Sequence, residues 1–181
     1  MVDRPEPETH EPDGPPRWVF IAALVVGVGA IVAVLVIAAN RAPAPVPVAA
    51  VPAPQADGAA CAQLIDALPD NLGDYQRAPT ADPSPAGVAA WRGDTDPEPV
   101  ILRCGLDRPG DFVQGVPLQM VDDVSWFRVA EADRISWFAV DREVYVALTL
   151  PAESGPTPIQ EVSAAISAAL PARPIDPGPP R

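Results

Sequence analysis

The residues of this chain that could carry chemistry are few and far apart. A single histidine, His10, lies among prolines and acids near the start, and two cysteines follow much later, Cys61 and Cys104. Carboxylates gather at Asp94, Asp96 and Glu98 and again at Asp122-Asp123. Ser-Trp-Phe occurs twice, at Ser125–Phe127 and Ser136–Phe138.

A Ser–His–Asp or Cys–His relay needs an imidazole beside its nucleophile, and a histidine metal site needs one beside its other ligands. His10 is cut off from the rest of the chain by a long apolar run, so neither arrangement is expected. Asp94, Asp96 and Glu98 begin like a calcium loop, but Pro99 stands at the sixth position where glycine makes the turn, and Gly105 at the twelfth where a bidentate Glu belongs. No cofactor, metal or catalytic residue is expected. Paired carboxylates such as Asp122-Asp123 do acid–base work on a glycan only when two of them face each other across one cleft. A carboxylate-based hydrolase acting on a cell-wall polymer is therefore the alternative to a non-enzymatic binding role.

The repeated Ser-Trp-Phe offers a surface that binds. If Glu131-Ala132-Asp133 makes one turn and Asp141-Arg142 the next, Trp126 faces Phe138 and Phe138 faces Tyr145 across three strands. That register puts Trp126, Phe138 and Tyr145 in a row beside Arg128, Arg134, Ser136 and Thr149, a surface suited to stacking a sugar ring or gripping a peptide. The opposite face would carry Phe127, Val129, Ile135, Trp137, Ala139, Val144, Val146 and Leu148 as core. Cross-strand aromatics also stabilise sheets without binding anything, and the loop 107–121 or a helix is a candidate cover. A slip of one residue would scatter the row.

Five strands are expected, at Val88–Arg92, Val100–Leu106, Val124–Ala130, Arg134–Val140 and Glu143–Leu150, from their β-branched and aromatic alternation. Helices are expected at both ends. In Ala59–Leu68, Cys61, Leu64, Ile65 and Leu68 recur at helical spacing before Pro69; later, Ile159, Val162, Ile166 and Leu170 share a face, with Thr157 as N-cap, Pro158 at N1 and Gln160 completing a capping box. Alternation turns Val100, Leu102, Cys104 and Leu106 to one side, and Cys61 lies on the apolar face of the first helix. The two thiols converge if that helix packs on this sheet, and a bridge closing about 43 residues contributes roughly 4 kcal/mol. The fold class is α+β, a small antiparallel sheet of about five strands between two helices.

This domain, placed at residues 58–172, carries 7 Arg against 17 Asp and Glu, within a chain of net charge −12 that has no lysine. Nucleic acid and anionic headgroups are repelled by so acidic a surface. Residues Trp18 to Ala39 are an unbroken apolar run of 22 residues, about 33 Å of helix against a hydrocarbon core of about 30 Å. The lipid bilayer is thus an expected partner through residues 18–39. Arg4 and Arg17 before the run outnumber Arg41 after it, which favours an N-terminus inside, and a cysteine pair beyond the run suits an oxidising compartment. Residues 1–17 read as a disordered cytoplasmic tail. Residues 40–57 read as a Pro/Ala-rich stalk able to hold the domain up to about 50 Å away, and 173–181 as a second disordered tail. Small-xxx-small pairs at Ala23/Gly27 and Gly29/Ala33 offer a weak helix-mediated dimer.

Cys61 in its helix, Ala67-Leu68-Pro69, Ala90-Trp91, Leu102-Arg103-Cys104-Gly105, Val124-Ser125-Trp126, Asp141-Arg142-Glu143-Val144-Tyr145-Val146 and Leu170-Pro171 together resemble a known family. It is an actinobacterial family of membrane-anchored or secreted proteins built on domain of unknown function 3515. The resemblance covers about residues 59–171 and implies a domain held outside the cell membrane. It implies no substrate and no catalytic residues.

Overall fold

A computed structural model describes residues 17–39, 44–93, 98–130 and 134–180. The chain divides into two compact units, Met1–Ala42 and Pro43–Arg181. The first contains α1, Arg17–Ala39. Within it, Trp18–Val36 has a mean hydropathy of 3.1 and no part buried, a length and composition that fit a membrane span or a signal sequence.

The second unit begins with α2 (Ala59–Ala67) and continues through β1 (Asn71–Leu72), β2 (Tyr75–Ala78), β3 (Val88–Gly93), β4 (Val100–Leu106), β5 (Leu118–Val121), β6 (Val124–Ala130), β7 (Arg134–Ala139) and β8 (Tyr145–Pro151) to α3 (Thr157–Ala169). All eight strands form one antiparallel sheet in the order β1-β2-β3-β4-β8-β7-β6-β5. It consists of two four-strand meanders joined along β4 and β8. The fold is α+β with a helix at each end, but the sheet has eight strands where about five were expected. The three unforeseen strands are two to four residues long, too short for alternation to stand out. Turn geometry defines them instead: Gly73 has φ +60° between β1 and β2, and Asp122 and Asp123 have φ 44° and 63° between β5 and β6.

Both helices of this unit cover the same sheet face, where Leu64, Val162 and Ile166 meet Trp91, Leu102, Trp126 and Leu148. Cys61 on α2 and Cys104 on β4 are joined by a disulfide with their Cα atoms 5.6 Å apart, so the convergence expected from helix and strand periodicity is realised. Trp91 and Trp126 are fully buried, and each indole N–H has an acceptor, Pro69 O at 3.0 Å and Ser163 Oγ at 2.9 Å. The capping box on α3 does not form. Its N-cap is Pro156 and no side chain caps it, because Thr157 lies inside the first turn, where its hydroxyl is past the position that a cap occupies.

Two irregular segments cover parts of the other sheet face. Residues 44–57, expected as a free stalk, are docked: Val46 is fully buried with Ala78, Ala90 and Ile101, and its backbone bonds to Pro79 and Ala81 at 2.8 Å each. Val46 and Ala56 are buried and Val48 and Ala53 half-buried, while Ala49, Ala50 and Val51 stay exposed. At the other side, Phe112 from the loop after β4 packs on Phe127, with ring centroids 5.7 Å apart. The carboxyl-terminal run, expected as a disordered tail, lies extended against this loop. Gly178 N donates to Phe112 O, and Gln114 N to Gly178 O, each at 2.9 Å. The folded unit therefore extends well beyond the expected limits of 58 and 172.

Candidate functional site

The register of the last three strands decides where the aromatic residues lie. Trp126 pairs with Ala139, Phe127 with Phe138 and Arg128 with Trp137, one residue away from the expected alignment. That slip reverses β6: Trp126 enters the core with 0% exposure, and Phe127 moves to the opposite face. The larger ring is buried where Ser163 can accept its N–H, while Phe127 needs no polar partner. Between β7 and β8 the alignment differs by two residues, Ala139 pairing with Val146, so those strands keep their expected faces. A two-residue turn at Asp141-Arg142 does not occur. These side chains are buried instead, with Arg142 Nη1 2.8 Å from Asp141 Oδ1 and Nη2 donating to Asp123 O at 2.9 Å.

The row of Trp126, Phe138 and Tyr145 is therefore not a surface. Phe138 and Tyr145 share the face away from the helices, both half-buried, whereas Arg128 is on the helix-covered side, its guanidinium 5.7 Å from the Trp137 ring centre. The Tyr145 hydroxyl lies 3.4 Å from Asp176 O, and burial, with the nearby Asp176 carboxylate, raises its pKa against the opposing pull of Arg108. Asp122 and Asp123 are exposed turn residues, and the carbonyl of Asp122 accepts from Ser167 Oγ at 2.7 Å. Asp94 and Asp96, the start of the calcium-like pattern, lie outside the described residues.

A different surface emerges on the helix-free face. Between the docked 44–57 segment and the Phe112 loop, the centre of the sheet is left open as a groove of about 420 Å³. Ala147 and Thr149 of β8 form its floor, Ile101 and Arg103 of β4 one wall, and Ser136 and Phe138 of β7 the other, with Arg134 at one end. The pairing explains the shape: Ala147 sits between Arg103 and Phe138, and its single methyl leaves depth between two larger neighbours. A bulge at Gly105 turns Leu106 out of the core face expected for it and into this groove. Ser136 and Thr149 hydroxyls are 3.1 Å apart.

Two guanidinium groups are the groove's charges. Arg134 is 3.3 Å from Glu98. The Arg103 side chain makes no hydrogen bond or ion pair among the described residues, and its Nε is buried without a partner. Burial, and secondarily the charge of Arg134, lowers the Arg103 pKa, although a guanidinium stays charged throughout the working range. Arg134, Ser136 and Thr149 were legible as companions of the aromatics. Arg103 was missed, yet it carries a signal of its own, a charge in the outward phase of an otherwise apolar central strand.

The family model described as "Protein of unknown function (DUF3515)" matches residues 21–175. The chain belongs to this family. The match takes in most of α1 as well as the folded unit, so family membership reaches further toward the amino terminus than the resemblance at residues 59–171. No curated protein and no solved structure matches the chain.

Proposed function

We propose that this DUF3515 protein is a single-pass membrane protein with a cytoplasmic amino terminus, whose disulfide-stapled domain works outside the cytoplasm as a non-enzymatic binding or accessory module of the cell envelope. The apolar helix and the Cys61–Cys104 bridge support the anchor and the compartment. The groove on the helix-free sheet face carries the binding reading. A volume near 420 Å³ is within the range of small-ligand sites, and its apolar walls with a few convergent polar groups have the usual make-up of one. Its partner is an envelope protein or a cell-wall component.

Two measurements test this. A reporter active only outside the cytoplasm, fused after Arg181, should be active in intact cells; silence would reverse the orientation. A photocrosslinking residue in place of Phe138 should capture a discrete envelope partner that the same residue in place of Asp66, on α2, does not. Equal capture from both positions would remove the groove as the binding face.

A further inference from the structure

The ligand chemistry of the groove can be narrowed further, on the premise that the groove is the binding face. The domain at residues 58–172 has 17 acids against 7 arginines, so a cationic cavity is opposite to what its composition would produce by chance. Arg103 and Arg134 both line this cavity, and Arg103 is half-buried with its Nε sealed from water and unpartnered. A buried guanidinium donor without an acceptor is costly; Arg142 Nε is another, and of the two only Arg103 lines the groove. Nearby hydroxyls of Ser136 and Thr149 add donors, and the walls of Ile101, Leu106 and Phe138 are apolar.

We infer that the groove binds an amphiphilic anion, a phosphate or carboxylate group on an apolar body, with Arg103 as its principal counter-charge. The fork of guanidinium N–H groups suits either oxyanion, and the anion would satisfy the Arg103 donors while separating two like charges. The apolar body lies along Ile101, Leu106 and Phe138 over the Ala147 floor. A lipid headgroup and a free amphiphile share this chemistry.

The test uses the full chain in a maltoside detergent, with binding followed by calorimetry. Octyl phosphate should bind at one per chain and weaken as salt is raised, whereas inorganic phosphate alone and octyl glucoside should each bind at least about tenfold more weakly. Arg103→Gln should lower octyl phosphate affinity by about tenfold or more. Ala147→Leu should fill the floor and abolish binding, and Arg108→Gln, outside the groove, should leave it unchanged. Circular dichroism of each variant verifies that the fold is intact. Absence of octyl phosphate binding, equal binding of octyl glucoside, or full affinity in a folded Arg103→Gln would overturn the inference. Partner capture from position 138 without Arg103-dependent anion binding would leave the binding module standing and remove only its ligand class. Nanodiscs of anionic phosphatidylglycerol that compete with octyl phosphate would identify a lipid headgroup; binding undisturbed by them would identify a free amphiphile, and both results support the anion site.

Discussion

The indole N–H of Trp126 donates to the Ser163 hydroxyl at 2.9 Å, and that hydroxyl donates to the Ile159 carbonyl at 2.6 Å. This chain of two bonds joins β6 to α3 in a fully buried setting. Ser163→Val is expected to cost about 1–3 kcal/mol, because it strands a buried N–H donor. Trp126→Phe should make the same Ser163 substitution less harmful. A double-mutant cycle by thermal or urea unfolding measures the coupling, and strict additivity would show that the bond carries none of β6's inward orientation.

The Cys61–Cys104 bridge closes a separation of 43 residues. Replacing both cysteines by serine should remove about 4 kcal/mol of stability. Reductant should lower the unfolding temperature of the native chain and leave the double variant unmoved. A maleimide reagent should label neither cysteine until the protein is reduced.

Gly105 has φ +84°, and a methyl group added there would collide with the Ala56 backbone nitrogen. Gly105→Ala should therefore cost at least about 1–3 kcal/mol in backbone strain and displace the segment 44–57 from the sheet. Proteolysis within that segment should accelerate. Gly110→Ala meets nothing within 4 Å and should change stability by less than about 0.5 kcal/mol.

Asp141 accepts from Ser125 N at 2.8 Å while its other carboxylate oxygen faces Arg142, so the loop between β7 and β8 is built on a buried ion pair. Arg142→Met should destabilise by about 3–5 kcal/mol, leaving the Asp141 carboxylate buried without its counter-charge. Glu143→Gln removes only the exposed 4.0 Å pair with Arg173 and should change stability by less than about 1 kcal/mol. Urea unfolding of the two variants separates these outcomes.

Tyr145 supplies a pH signature. Its pKa in the folded chain lies above the ordinary value of 10.0. As pH rises past that value the unfolded chain loses the proton first, so the folded state holds more protons and stability falls. Its contribution is intact below about pH 10 and declines between the unfolded and the raised folded value. Tyr145→Phe should flatten this alkaline decline in thermal unfolding, and an unchanged slope would remove Tyr145 as its source.

Much of the architecture was readable in the residues because it rests on local periodicity. The five longer strands stand close to where their alternation put them, α2 and α3 match their apolar spacing, and Cys61 meets Cys104 because each lies on the inward phase of its element. The candidate site was less readable, because it depends on pairing between elements. Four residues separate Ala130 from its partner Ile135, one more than a turn at 131–133 would allow, and that step was enough to bury Trp126 under the helices and turn Phe127 to the opposite face, beneath Phe112. Arg103 was passed over because its significance depends on what β8 and β7 place beside it.

The residues alone determined an apolar helix at the amino end, an α+β unit with a helix at each end, and a cysteine pair aimed at one core. These follow from hydrophobic period and side-chain direction, which every short stretch carries within itself. Only the tertiary structure decided that the expected stalk docks on the sheet and the expected tail on the loop after β4, that Trp126 points inward, and that Arg103 borders a groove floored by Ala147. Each of these depends on strand register and on which surfaces compete for the same apolar face, and such competition is resolved only when the whole unit packs.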